Sequence, residues 1–185
     1  MQAVLVFVGQ LMGVFLVWTF IIYWIHRISH IKGRWNILWK IHRAHHAIPY
    51  LTMKVERWPK FGQFFFWLGD FKTSIDVVIV LTIPLVLLTL LFPYPGLCLL
   101  VFHYIYEVFL GEGILDHNTQ LRGPVTRVFA WGSFHLHHHV KLERNYGLII
   151  TLWDRVFRTA DDPDGSFIDR FRENRARRNL ANSGS

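Results

Sequence analysis

Apolar positions in this chain fall in long unbroken blocks rather than in the short alternations of a soluble fold. No Asp, Glu, Lys or Arg occurs between Met1 and His26, and none between Val77 and Tyr106. A helix needs about 20 mostly apolar residues to cross about 30 Å of hydrocarbon. Residues 1–25 therefore predict a first span, with Trp18, Tyr23 and Trp24 as interface anchors near its end. Residues 73–92 predict a second span with a kink at Pro84. Pro93-Tyr94-Pro95-Gly96 reads as a turn, and residues 97–115 as the returning limb. That limb carries Glu107 and Glu112, so its lower half should face protein or water. A re-entrant hairpin over 73–115 is the alternative. Either form returns the chain to its starting side.

The connecting segments have a different character. Residues 26–48 are basic, aromatic and amphipathic, and end before Pro49. Residues 54–71 mix bases with a Phe/Trp cluster, which suits a segment lying in the headgroup plane. Residues 120–134 form a connector broken at Gly123-Pro124, and residues 135–158 read as helical apart from a loop around Asn145-Tyr146-Gly147. From Asp161 onward five acids and five bases predict a polar surface helix that frays into disorder. The expected organisation is a membrane domain over 1–160 and a polar tail over 161–185.

Charge fixes the orientation and removes one function class. The net charge of +7 could suggest nucleic acid, but the bases follow no binding motif. They sort by topology instead. Residues 27–60 hold eight bases and one acid, Glu56, and residues 117–158 hold six bases against Glu143 and Asp154, whereas the 93–96 turn is uncharged. The positive-inside rule then puts both basic regions in the cytoplasm, at an inner membrane if the source is bacterial. The first apolar run is too long for a signal-peptide core and lacks both a basic leader and a cleavage site, so it is expected to be retained. A lone cysteine, Cys98, leaves no disulfide framework or Cys-rich metal site.

Histidine changes the picture most. Ten of the eleven histidines lie on the side expected to be cytoplasmic: His26-x3-His30, His42-x2-His45-His46, His117, and His135-x-His137-His138-His139. Residues three and four apart share a helix face, so His26 with His30 can converge on one point. His42 with His45 and His46 can do the same, and His135 with His138 and His139 repeat that spacing. Imidazole nitrogen suits zinc, copper, iron and nickel. Eight imidazoles exceed the four that a tetrahedral ion takes, so two metals are the natural count. The His-Glu-x-x-His pattern of zinc hydrolases is absent. All-nitrogen coordination with few carboxylates nearby suits redox-active iron better. His103, inside the returning span, reads as a hydrogen-bonded core residue, and His137 as pointing to another helix face.

The order His26-Arg-Ile-Ser-His30, His42-Arg-Ala-His45-His46, hairpin, His135-Leu-His-His138-His139 resembles the fatty acid hydroxylase / sterol desaturase superfamily of membrane non-haem di-iron enzymes. Gly113-Ile-Leu-Asp-His117-Asn118 is similar to the histidine–asparagine segment of its bacterial sterol-desaturase-type members. Asn145-Tyr146-Gly147 followed by Leu152-Trp153-Asp154-Arg155-Val156-Phe157-Arg158-Thr159 is similar to their closing element. The chain departs from the pattern in having Arg158 where glycine is usual, in being shorter than typical members, and in lacking a hairpin ahead of the first span.

The resemblance implies an all-α membrane protein of about three transmembrane helices with a cytoplasmic helical cap around a two-metal site. It implies two non-haem iron ions, O2 as co-substrate, and attack on an unactivated C–H bond of a lipid-like substrate that gives an alcohol or, by a second abstraction, an alkene. The implied ligands are His26, His30, His42, His45, His46, His135, His138 and His139, with His117 as a ninth. Asp116, Asn118 and Asn145 are candidates to orient imidazoles. Asp154 with Arg155 is expected to form a structural pair, and Trp153 with Phe157 to pack toward the membrane. Phe64, Phe65, Phe66 and Trp67 are candidates for interface anchors or for the lining of a lateral substrate path. No fused haem domain or dinucleotide fingerprint is expected. Electrons are thus expected from a separate reductase with a ferredoxin or cytochrome, docked on the basic surface. Oligomerisation stays open. A non-enzymatic metal-binding or transport protein is the reading from another class, and it would place donors near the membrane midplane.

Overall fold

A computed structural model describes residues 1–52, 58–67 and 71–183. The expected headgroup segment 54–71 thus falls partly outside the described residues. Helix α1 (Gln2–Ser29) has 28 residues, about 42 Å at 1.5 Å per residue. It is followed by α2 (Ile37–His46), α3 (Phe71–Val77), a π-helical stretch Val78–Thr82, α4 (Ile83–Leu91), α5 (Pro93–Ile105) and a second π-helical stretch Tyr106–Asp116. Short helices α6 (Ser133–His138) and α7 (Leu152–Val156) precede α8 (Phe167–Ser183). Among the described residues there is no strand, only an isolated bridge between Phe129 and Ile150. Among the described residues three helical stretches are long and apolar enough to cross a membrane: Gln2–Ser29, Ser74–Leu91 and Pro93–Asp116.

One stripe of α1 explains how the spans reach the histidines. Val14, Trp18, Ile22 and His26 recur every fourth residue and are all buried. The first three pack with Val80, Leu81, Leu85, Leu88 and Leu99 of the other two spans. His26 is the next position on the same stripe, so the packing that aligns the bundle also delivers an imidazole to its end. The indole of Trp18 donates to the Leu81 carbonyl at 3.0 Å. Leu5, Leu90, Leu91, Leu97 and Val101 lie exposed on the outside. A contiguous apolar surface of this kind marks contact with lipid.

Three predicted details differ. Pro93 and Pro95 do not form a separate turn. They sit in the first turn of α5, where a missing N–H costs nothing, and the reversal is made at Phe92 alone. Gly96 makes it tight: a Cβ there would come within 2.5 Å of the Thr89 Cα. Around Pro84 the helix continues, with the π-helical stretch immediately before it. The expected helix over 135–158 is also mostly absent, since only α6 and α7 are helical there. Gly132, at φ 51 and seated against the Leu121 carbonyl, starts α6, and Asn145, at φ 59, interrupts the segment.

The cap is held by polar locks. Asn36 accepts from the Trp39 N–H at 3.3 Å and donates to the Ile28 and Ile31 carbonyls, fixing α2 against the end of α1. Helix α8 docks through Ile168, buried with Tyr50, Leu51 and Leu136, through Arg172 Nε on the Leu51 carbonyl, and through the Arg122–Asp169 ion pair. Asp154 and Arg155 do not pair. Neighbouring residues on a helix point about 100° apart, and Arg155 reaches Asp162 at 2.9 Å while Asp154 turns inward. Arg158, where the resembled pattern has glycine, holds a left-handed φ of 57.

Asp154 is fully buried and accepts from the Tyr146 and Gly147 N–H groups at 2.7 and 2.6 Å and from the Thr159 hydroxyl at 2.7 Å. Asp154→Ala would strand three buried donors, a loss on the order of 3–5 kcal/mol. The midpoint of heat-induced loss of monodisperse protein in detergent is expected to fall by roughly 6–20 °C. An unchanged midpoint would show that these bonds do not hold the cap.

Candidate metal centre

The nine histidines singled out from the sequence gather into two groups. His26, His30, His42, His46 and His138 form the first, and His45, His117, His135 and His139 the second. Within each group one ligand-type atom per residue lies within 4.8 Å of all the others. The groups abut, with the His46 and His139 rings 4.4 Å apart and those of His45 and His46 5.6 Å apart.

The division corrects one expectation. His42, His45 and His46 do not converge on one point, and neither do His135, His138 and His139. On a helix, positions i and i+4 diverge by about 40°, while i+3 lies about 60° to the other side. His42 therefore pairs with His46 and His135 with His139, and the middle residues His45 and His138 cross to the opposite group. Each x2-HH motif serves both groups at once.

Imidazole orientation in the first group is set by acceptors that carry no proton. His26 Nδ1 lies 2.6 Å from the Tyr146 carbonyl, His138 Nδ1 2.6 Å from the Arg144 carbonyl, and His42 Nδ1 2.8 Å from Asp76 Oδ2. These partners only accept, so each Nδ1 carries the proton, and a neutral ring leaves Nε2 as a bare lone pair. Yet the Nε2 atoms face one another: His26–His42 at 3.1 Å, His26–His30 at 3.2 Å, His30–His42 at 2.9 Å and His42–His46 at 2.8 Å. His138 Nε2 is buried with no hydrogen-bond partner. One proton could bridge one such pair but not five rings. Two nitrogens each about 2.1 Å from an ion are about 3.0 Å apart at a right angle and about 3.4 Å apart at the tetrahedral angle. The observed spacings match the edges of such a polyhedron, and the donor set fits a metal ion. The second group repeats them, with His117–His139 at 3.3 Å and His135–His139 at 3.2 Å.

Burial keeps the rings in ligand form. Loss of solvation lowers the pKa of His30, His46, His117, His135, His138 and His139 well below the usual histidine value, and brings His45 to about 4. Tyr50 stacks face to face on His117, with centroids 3.5 Å apart and planes 15° apart, and so fixes that ring.

The remaining candidates take other roles. Asp116 accepts from the Tyr106 hydroxyl, Asn118 caps Gln120 N, and Asn145 bridges Phe134 and Asp161; none of the three is hydrogen-bonded to an imidazole. Sequence reasoning missed Asp76, the acid on His42, although a lone carboxyl just inside a span was a usable signal. It also missed Tyr50 and the Tyr146 and Arg144 carbonyls, for which no residue-type signal exists. His103 is buried, hydrogen-bonded to Thr82 at 2.9 Å and edge-on to Trp18, and His137 contacts the Asp161 carbonyl and Phe167. Neither joins a group. Trp153 and Phe157 pack on Phe20, Tyr23 and Trp24 of α1. Phe64 packs on Phe109, Phe65 on Phe61, Phe66 on Phe71, and Trp67 on His103 and Tyr104, with all three phenylalanines Phe64 to Phe66 partly exposed.

A cavity of ≈ 50 Å³ adjoins both groups. His42, His45, His117 and His135 line it on one side and Val77, Val80, Leu81 and Leu148 on another, with Asp76, Glu107, Glu112 and Asp116 also facing it.

A family model described as fatty acid hydroxylase matches residues 11–159. Alkylglycerol monooxygenase of Danio rerio is 27% identical over 142 residues, which cover 74% of this chain and 27% of that protein. The chain thus spans about a quarter of the length of that curated relative. No solved structure matches the chain.

Proposed function

The chain belongs to the fatty acid hydroxylase family, and on that premise we propose that it is a membrane di-iron oxygenase that hydroxylates an unactivated C–H bond of a lipid-like substrate with O2 and external electrons. The observation that carries this reading is the convergence of nine imidazoles, six buried and three half-buried, on two adjoining points beside a cavity at the end of the spans. His26, His30, His42, His46 and His138 would hold one iron, and His45, His117, His135 and His139 the other. Iron bound there supplies the O2-dependent redox chemistry that no side chain offers.

The chain's own groups do the rest. Asp76 and the Tyr146 and Arg144 carbonyls orient three rings, and Tyr50 orients a fourth. The packed helices bury six of the nine ligands away from water. The apolar wall of Val77, Val80 and Leu81 belongs to a membrane-spanning stretch, which supports a hydrophobic substrate. Electrons would come from a separate reductase with a ferredoxin or cytochrome. A cleft lined by Arg27, Lys32, Glu143 and Tyr146 reaches His30 and suits an acidic donor. The basic flanks support a cytoplasmic location for this face. A transporter would need donors at mid-span, whereas this set begins near the end of α1.

Protein reconstituted with iron is expected to hold two irons per chain and to oxidise lipid with label from 18O2 in the product. Product mass separates alcohol from alkene. A purified chain that binds no iron, or that reduces no O2 with lipid and reductant present, would refute the proposal.

A further inference from the structure

The two groups of histidines are alike at the nitrogens that converge and differ behind them. In the group of five, three rings rest on direct acceptors: His26 and His138 on backbone carbonyls at 2.6 Å, and His42 on Asp76 at 2.8 Å. In the group of four, no ring is hydrogen-bonded to a carbonyl or a carboxylate among the described residues. The Nε2 atoms of His117 and His135 face that of His139, which leaves Nδ1 to carry the proton of each ring. Both of those Nδ1 atoms are buried without a partner. Tyr50 holds the plane of His117 but offers that nitrogen no acceptor. The nearby acids are engaged elsewhere, Asp116 with Tyr106, Glu112 with Tyr50 and Gln63, and Glu107 with His103. His117 and His135 both line the cavity of ≈ 50 Å³, a space for water-sized atoms, which leaves exchangeable solvent to accept from them.

We infer that the two centres are unequal: the one with five donors is the permanent metal site, and the one with four is an exchangeable site that fills last and empties first. The inference rests on the oxygenase reading only for its consequence, that a scarce supply of iron leaves a one-ion protein without turnover. The order of filling needs no redox chemistry. Two differences act in the same direction. An outer partner that fixes the tautomer and orientation of a ligating imidazole is worth about 10–100-fold in metal affinity, and a carboxylate partner also makes the ring more basic. The first centre has three such partners, one of them Asp76, and the second has none among the described residues. The first centre also has one donor more. A ring whose N–H is met by solvent can turn away from its ion without breaking a contact to the protein, so release starts at the second centre.

Zinc is the probe, because it binds imidazole and has no redox chemistry of its own. The full chain in detergent is loaded with zinc and equilibrated against chelators of graded strength. Its content is expected to fall from two ions to a plateau at one, and to leave that plateau only at free zinc at least about tenfold lower. His45→Ala with His139→Ala should abolish the weak step and keep the tight one. Asp76→Ala, a single change outside the donor set, should draw the two steps together by about tenfold or more. A wild-type chain that loses both ions in one step overturns the inference. So does a weak step that survives in the double variant, or a pair of steps that stays as far apart in Asp76→Ala. Should the double variant fail to fold, the wild-type titration and Asp76→Ala decide alone. Loaded with iron instead, the plateau form should oxidise no lipid, and full turnover there would overturn the dependence on supply. Two unequal zinc steps in a chain that never oxidises lipid would sink the oxygenase reading and leave this one standing. Oxidation of lipid by a chain whose ions leave together would do the reverse.

Discussion

Replacing His45 and His139 together by alanine is expected to leave one iron per chain, and replacing His46 and His138 together is expected to do the same at the other centre. The first pair removes two of the four donors of its group, and the second two of five. What remains in the damaged group is two or three imidazoles, too few for a closed site. The untouched group keeps every donor. A cross-group pair, His45 with His46, takes one donor from each and should weaken both ions without abolishing either. Activity should fall by roughly three orders of magnitude or more in all three, because groups that act as a unit fail as a unit. Metal per chain, measured by mass spectrometry after dialysis against a chelator, is therefore the informative quantity. If the adjacent pair His45/His46 empties one centre and spares the other, the division between the groups is wrong.

That division marks the limit of what residue order reveals. The spans were legible because hydrocarbon imposes length and apolarity with little tolerance, and Gln2–Ser29 and Pro93–Asp116 lie where the uncharged blocks put them. The histidines that gather were legible because i, i+3 and i+4 spacing is dictated by helix pitch. Which point each ring faces was not. It depends on how α2 and α6 oppose each other across the site, and on a 40° against a 60° offset that one helix alone cannot resolve. The region after His139 was read as helical from its composition, but Asp154 collects the Tyr146 and Gly147 N–H groups and holds a loop there instead. That loop turns the Tyr146 carbonyl onto His26. Contacts made by backbone carbonyls leave no trace in residue type, so two of the three acceptors that orient the first group were invisible by nature.

Asp76 is the exception, since its side chain is legible once its place is known. It stands in the first turns of the second membrane-crossing stretch, where a carboxylate persists only if something binds it, and it meets His42 Nδ1 at 2.8 Å. The pair fixes the tautomer that leaves His42 Nε2 free, and the negative charge strengthens that nitrogen as a donor. Asp76→Ala is expected to weaken the first centre's hold on iron by about 10–100-fold while leaving the second near its original affinity. Asp76→Asn keeps an acceptor for Nδ1–H and loses only the charge, so it should fall between the two. Competition with a graded series of chelators resolves the two ions and reads each affinity separately. A merely structural role for Asp76 would lower both affinities together and move the thermal midpoint. A positioning role moves one ion and grades with the substituent. Equal loss at both centres, or no loss in Asp76→Ala, would remove this carboxylate from the account of how the site is built.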